Sequence, residues 1–154
     1  MARFTATTSR QAVVPAERVE VWRVLTDPHL LPKLTPYLDR ILVDGDRWRW
    51  EMSRLPVLSV SVAPSFTERM DFDPQERIDF THEPPPGTTE KAAAEGTYTL
   101  EEVSPRETEL SIDLTLTVDL PLPGVAAPAV GRVMQGVLDR MGEKFAENLL
   151  DHLR

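Results

Sequence analysis

The last third of the chain joins two different hydrophobic periodicities, and this junction constrains the fold more than any other feature. Between Glu109 and Leu120 apolar and polar residues alternate almost without exception, as in a strand with one buried face. A Pro-Gly corner occupies residues 121–124. From Pro128 to Leu153 apolar residues recur every three or four positions, as on an amphipathic helix. The sequence therefore predicts a long strand followed by one long helix that covers the apolar face of a sheet.

The preceding segments predict the rest of a mixed domain. Residues 3–13 have the pattern of an opening strand, and two short helices are expected between Pro15 and Pro36, since proline suits the first turn of a helix and not its interior. Strands follow, with a hairpin turn at Asp44-Gly45-Asp46. The order is a strand, two helices, about six antiparallel strands and one long helix, which is an α+β pattern. We expect one domain spanning residues 1–154.

The middle of the chain gives more specific expectations. Residues 57–72 predict a single long strand, bent or bulged near Pro64. Residues 73–76 predict a type I turn with proline at its second position. The proline-rich loop at 84–91 and the segment 30–37 are both candidate gates for a ligand, because long loops in compact domains often act as lids.

Composition narrows the classes of function. The net charge of −8, with Lys and Arg scattered, argues against nucleic acid as a partner. Cysteine is absent, and the three histidines have no paired spacing, so neither a metal site nor a cofactor is expected. No apolar run reaches the roughly 20 residues that span a bilayer, and the N-terminus lacks the apolar core of a signal peptide. We expect a cytoplasmic protein, for which peripheral membrane contact and a homodimer both stay open.

Residue parity on the predicted strands identifies side chains that face inward. Glu68 shares the parity of apolar neighbours, although an unpaired buried carboxylate is costly and has a raised pKa. We predict a ligand cavity lined by Trp48, Trp50, Phe66, Glu68, Phe80, His82, Tyr98, Met134, Leu138 and Met141. A bulge at Pro64 would instead reverse this parity and turn Glu68 into solvent.

Glu68 and His82 are the candidate catalytic residues. A Glu–His pair can perform acid–base chemistry on a carbonyl compound, with Tyr98 orienting it. No Gly-x-Ser-x-Gly nucleophile motif is present. On the long helix, Gly131 and Gly142 fall on or beside the apolar face, where a missing side chain allows either close packing on the sheet or space for a ligand.

Several segments resemble a known superfamily. Residues 14–28, with a strand ending in Val-Pro-Ala, an apolar helix and a closing Thr-Asp-Pro, resemble the start of START-like (Bet v 1-like) helix-grip domains, which include polyketide cyclases and dehydrases. Residues 96–101 and 124–149 are similar to two branches of this superfamily, one that contains a carbon monoxide dehydrogenase subunit and one that binds coenzyme Q. The resemblance implies a seven-stranded curved antiparallel sheet around the C-terminal helix, with an apolar cavity between them.

The resemblance implies three alternative functions. The first is binding or transport of a hydrophobic small molecule, such as a lipid, an isoprenoid quinone or a polyketide-like aromatic, without catalysis. The second is a polyketide cyclase, dehydratase or hydrolase that uses Glu68 or His82 as acid or base. The third is an assembly or maturation factor for a partner enzyme.

Overall fold

The computed structural model describes residues 2–154, which contain nine strands and three α-helices. The strands are β1 (Ala2–Val14), β2 (Leu38–Asp44), β3 (Arg47–Met52), β4 (Leu55–Val57), β5 (Val60–Val62), β6 (Ser65–Asp73), β7 (Arg77–His82), β8 (Ala92–Ser104) and β9 (Glu107–Leu120). The helices are α1 (Arg18–Leu25), α2 (Leu31–Leu34) and α3 (Ala127–His152), and a short 3₁₀ helix at Gly124–Ala126 leads into the last. The predicted α+β class is confirmed.

One antiparallel sheet of seven strands, in the order β1-β9-β8-β7-β6-β3-β2, forms the body of the protein. Its longest pairing joins β1 to β9, from Ala2 opposite Leu120 to Val14 opposite Thr108. The two short helices lie between β1 and β2 in the chain, as predicted. The Asp27 carboxylate accepts hydrogen bonds from the backbone N–H groups of His29 and Leu30, at 3.0 and 3.2 Å, and so fixes the approach to α2.

Helix α3 packs its apolar side against the inner face of this sheet. Its buried side chains recur at helical spacing and are Val130, Met134, Leu138, Phe145 and Leu149. At 1.5 Å per residue the helix is about 39 Å long. The Asn148 side chain also donates a hydrogen bond to the Leu34 carbonyl oxygen at 2.9 Å, which fastens α3 to α2. The arrangement confirms the predicted helix-grip fold.

The single strand predicted for residues 57–72 is wrong. The chain instead forms a separate two-stranded hairpin, β4–β5, and then β6. Leu58 adopts a positive φ of 55° at the hairpin turn. Pro64 lies in the break between β5 and β6 and has no N–H to continue a strand ladder. The alternation of apolar residues continues across the break, so the sequence pattern does not reveal it.

The turn at residues 73–76 also differs from the prediction. The Glu76 N–H donates to the Asp73 carbonyl oxygen at 3.0 Å, as in a β-turn. However, Gln75 has a φ of +63°, whereas the third position of a type I turn requires a negative φ. Proline at the second position and a positive φ at the third define a type II turn. The type I prediction is therefore wrong, because a glutamine takes the position that glycine usually occupies.

Candidate functional site

A cavity of about 120 Å³ lies between α3, α2 and the inner face of the sheet. Most of its wall is apolar. The charged or ionisable side chains on the wall are Arg10 from β1, Glu68 from β6 and Tyr98 from β8, and two threonines, Thr8 and Thr35, add hydroxyl groups. An apolar chamber with a few polar groups is typical of small-molecule sites.

The structure brings most of the predicted lining residues together. Those on the cavity wall are Trp50, Phe66, Glu68, Phe80, Tyr98, Leu138 and Met141. Trp48, His82 and Met134 do not line this cavity. Both sets come from strands and from α3, so parity alone selects the correct face but not the position along it.

Each of the three remaining residues has a different neighbour. Trp48 is buried in an aromatic cluster, with its ring centroid 5.7 Å from that of Phe72. Met134 lies on a smaller adjacent void of about 30 Å³. His82 is half-buried, and its Nε2 is 2.9 Å from Oε1 of Glu90. The predicted Glu68–His82 pair is therefore not assembled on the cavity wall.

Glu68 is fully buried. Its Oε1 accepts a hydrogen bond from the backbone N–H of Ala94 at 3.0 Å, whereas its Oε2 is buried without a partner among residues 2–154. The irregular backbone near Pro64 ends before β6 begins, so the alternation within β6 keeps Glu68 on the inner face. Burial raises the pKa of Glu68 from 4.5 to about 8, and the charges of Glu95 and Glu90 add to the increase, while the Ala94 hydrogen bond opposes it.

The position of Glu68 depends on a gap in the sheet. Pairing between β7 and β8 stops at Phe80 opposite Gly96, so the Ala94 amide beyond this point has no β7 partner and is bound by Glu68. Gly96 has a separate steric role. A Cβ at this position would clash with the Asp113 carbonyl and lie 2.9 Å from Cζ of Phe80. The glycine therefore leaves room for the Phe80 ring on the cavity wall.

Two further polar groups on the wall are hydrogen-bond donors. Nε1 of Trp50 is buried without a partner among the described residues. Tyr98 packs on Phe80 with ring centroids 5.3 Å apart. Burial, together with the nearby Glu68 charge, raises the pKa of Tyr98 to about 12, so its hydroxyl stays protonated at neutral pH. The interior of the wall thus offers hydrogen-bond donors to a ligand.

The outer side of the same gap is fastened by Glu90. Its Oε1 accepts a hydrogen bond from the Thr67 backbone N–H, and its Oε2 accepts one from the Thr67 hydroxyl, both at 2.7 Å. With the His82 contact, these bonds attach the loop at 83–91 to the edge of β6. We name this set, Thr67, His82 and Glu90, the Glu90 latch.

Two residues of the cavity wall were not predicted from the sequence. Arg10 and Thr8 share the inward parity of Phe4 and Ala6 on β1, and applying the alternation rule to that strand would have found them. No sequence signal identifies Glu90, because its contacts depend on where β7 ends.

The fold and cavity match a known family. The model of the polyketide cyclase/dehydrase and lipid transport family matches residues 1–149. The chain belongs to this family. Its description covers both cyclases and lipid-transport proteins, which supports either hydrophobic ligand binding or a cyclase-like role.

Solved structures share the fold over nearly the whole chain. A START superfamily protein from Mycobacterium smegmatis is 16% identical, with 96% of each chain covered and a TM-score of 0.69. The Zhui aromatase/cyclase from a Streptomyces species is 15% identical, with 97% of this chain and 93% of that chain covered and a TM-score of 0.71. A conserved protein from Geobacillus kaustophilus is 19% identical, with 96% and 94% covered and a TM-score of 0.70. These identities show the fold alone, and a comparison with curated proteins finds no match.

Membrane-spanning and metal-binding features are both missing from residues 2–154. None of the helices in this range has both the length and the apolarity needed to cross a bilayer. Within the same range, no group of three or more His, Asp or Glu side chains is arranged to hold a metal ion.

Proposed function

We propose that the protein binds a hydrophobic small molecule that carries a carbonyl or hydroxyl oxygen, such as an isoprenoid quinone, an oxygen-bearing lipid or a polyketide-like aromatic. One observation carries the proposal. Nε1 of Trp50 and Oε2 of Glu68 are buried in an apolar wall without partners in the described chain. An unsatisfied buried polar atom costs about 1–3 kcal/mol, and a ligand oxygen that accepts from these atoms would remove that cost.

The protonation of Glu68 decides what kind of group it can bind. With a pKa of about 8, Glu68 is mainly protonated at neutral pH. Because Oε1 accepts the Ala94 N–H, the carboxyl proton is best placed on Oε2, where it can be donated into the cavity. The indole of Trp50 is a donor only. Both unpartnered atoms therefore favour a ligand that supplies hydrogen-bond acceptors.

The size of the cavity limits how much of the ligand it encloses. Its volume of about 120 Å³ is smaller than the roughly 300–1,000 Å³ of pockets that enclose a drug-sized molecule. A quinone ring or a comparable aromatic unit is the appropriate occupant, and a larger molecule extends beyond the mouth or displaces a wall residue. Met141, which is flexible and unbranched, is the wall residue best suited to move.

Isothermal titration with a matched pair of probes tests the proposal. The pair is a naphthyl ketone and the alkylnaphthalene of the same shape. The protein should bind the ketone about tenfold more tightly, and Glu68→Leu and Trp50→Phe should each reduce that preference. Glu68→Gln should retain it, because the amide still supplies an acceptor to Ala94 and a donor to the cavity. Trp22→Phe is the control, since Trp22 packs on Phe72 away from the cavity.

Equal affinity for the two probes would contradict the assignment of the unpartnered atoms as ligand contacts. Failure of both probes, and of a wider panel of quinones and fatty-acyl compounds, to bind at all would contradict the proposed function itself.

Acid–base catalysis is the second candidate function. One observation favours it: Glu68 faces the cavity with a pKa of about 8, which lets a carboxyl both give and take a proton near neutral pH. In this role Glu68 would act on a ketide-like substrate beside Tyr98, without His82. With a ketide probe, Glu68→Gln should abolish turnover while leaving binding and the thermal midpoint nearly unchanged. Retained turnover in that variant would exclude Glu68 as the acid or base.

A further inference from the structure

Arg10 lies where the cavity meets the protein surface. It lines the cavity, and it also borders an outer groove together with Asp139 and Glu143 of α3. Thr8 shares both positions. Among the described residues, Arg10 is the one cationic side chain on the cavity wall. Its place on β1 therefore puts a permanent positive charge at the mouth of an otherwise apolar chamber.

The Arg10 guanidinium rests against the backbone of α3. Its Nη1 donates a hydrogen bond to the Asp139 carbonyl oxygen at 3.2 Å. Gly142 makes this approach sterically allowed, because a Cβ there would lie only 2.8 Å from Cδ and from Nη1 of Arg10. A guanidinium has five N–H donors. Most of the hydrogen-bonding capacity of Arg10 is therefore free for another partner.

The charge of Arg10 is not neutralised by an acidic side chain of the described chain. Within residues 2–154 no carboxylate is within ion-pair distance of Arg10. Oδ1 of Asp139 accepts a hydrogen bond from Gln135 at 3.1 Å, and Glu143 is exposed. Inside the cavity, burial raises the pKa of Glu68 to about 8, so at neutral pH that wall residue is mainly uncharged. The mouth therefore favours an anion.

Building on the proposed function, we infer that the ligand is an amphipathic anion whose apolar, carbonyl-bearing body enters the cavity while its carboxylate binds Arg10 at the mouth. The planar guanidinium matches a carboxylate in geometry and can bind it through two parallel hydrogen bonds. The small cavity is consistent with this division, since it encloses the body of such a molecule and leaves the charged end in the groove. This inference specifies the chemical class of the ligand, which the apolar wall alone does not.

A second matched probe pair tests this inference. The probes are an acetylnaphthoate, with the acetyl group and the carboxylate at opposite ends of the ring system, and the neutral alcohol that replaces the carboxylate by a hydroxymethyl group. Titration at neutral pH and low salt should show the carboxylate binding at least about tenfold more tightly than the alcohol. Added salt should narrow that difference, because a partly exposed ion pair is screened.

Three variants separate the charge of Arg10 from general effects. Arg10→Gln should reduce affinity for the carboxylate to that for the alcohol and leave alcohol binding unchanged. Gly142→Ala keeps the arginine but displaces its guanidinium, so the preference should also fall. Arg3→Gln is the matched control, since Arg3 is on the same strand but faces outward and is paired with Asp119. It should retain the preference, and thermal unfolding of each variant establishes that it is folded.

The outcomes distinguish this inference from the proposed function. Equal affinity of the wild-type protein for the two probes would overturn the role of Arg10 while leaving the cavity a binding site. A preference that survives in Arg10→Gln would assign the anion to another cation and overturn the inference equally. Absence of binding by either probe would overturn the proposed function and this inference together.

Discussion

Oε1 of Glu68 accepts a hydrogen bond from the backbone N–H of Ala94 at 3.0 Å, across the gap that opens in the sheet where β7 ends. The side chain thus satisfies an amide that would otherwise have no strand partner, while its second oxygen has no partner among the described residues. The same residue therefore has a structural contact and a free polar atom. Substitutions at Glu68 must be chosen to separate these two properties.

Stability should depend on pH through Glu68. Because the folded-state pKa of about 8 exceeds the ordinary value of 4.5, the native protein holds a proton that the unfolded chain releases between those values. The contribution of Glu68 to stability is therefore complete below about pH 4.5 and is lost as the pH rises toward about 8, with a slope approaching −1.4 kcal/mol per pH unit. Urea unfolding at a series of pH values measures this slope.

Glu68→Gln should remove that slope, because the glutamine amide does not titrate and keeps an acceptor for Ala94. Glu95→Gln is a useful comparison, since the Glu95 charge makes only a secondary contribution to the raised pKa of Glu68. It should reduce the slope slightly. Superimposable pH profiles for the wild type and Glu68→Gln would show that Glu68 is ionised in the folded protein.

Loss of the Glu90 latch should destabilise the loop at 83–91. Glu90→Ala leaves the Thr67 N–H and hydroxyl without their acceptors, and leaving such groups unsatisfied costs about 1–3 kcal/mol. Hydrogen exchange at the Thr67 amide should accelerate, and the urea midpoint should fall. Glu102→Ala, an exposed acid near the far end of β8, is the control and should change neither. Unaltered exchange at Thr67 in Glu90→Ala would mean that the latch does not form in solution.

The type II turn at 73–76 predicts that glycine is the preferred residue at position 75. Gln75 holds a φ of +63°, a left-handed conformation that costs an L-residue about 1–2 kcal/mol. Gln75→Gly removes this strain, although greater freedom of the unfolded chain offsets part of the gain. The free energy of unfolding should rise by about 0.5–1 kcal/mol. A decrease would indicate the type I geometry that the sequence suggested.

Period and parity explain which parts of the structure could be predicted. Strand β9 and helix α3 each keep one hydrophobic period over many residues, so their type and buried faces follow from the sequence. The β4–β5 hairpin could not be found in this way, since the alternation from Val60 to Phe66 continues through the break at Pro64. A pattern of apolar residues records which face is buried but not whether the backbone is continuous.

The polar part of the site depends on where strands end. Glu68 could be singled out because its parity conflicts with its charge, but its contact with Ala94 follows from the early end of β7, which no residue pattern marks. Glu90 is 23 residues from Thr67 in the chain and reaches it through an irregular loop. Its role requires the three-dimensional arrangement.

Two glycines of α3 provide a final, internally controlled prediction. Glycine in a helix interior costs up to about 1 kcal/mol relative to alanine, so Gly131→Ala should stabilise the protein by roughly that amount, since no neighbouring atom of the described chain lies within 4 Å of the new Cβ. At Gly142 the new Cβ would lie 2.8 Å from Nη1 of Arg10. The guanidinium must then move, and its hydrogen bond to the Asp139 carbonyl oxygen is lost.

The helix gain at position 142 should therefore be offset by about 0.5–1.5 kcal/mol, the net contribution of a typical hydrogen bond. Thermal unfolding of the two alanine variants side by side measures the difference directly. We expect a higher midpoint for Gly131→Ala and a smaller increase, or none, for Gly142→Ala. Equal increases would show that the Arg10 contact contributes nothing to stability and that the guanidinium already moves freely at the mouth of the cavity.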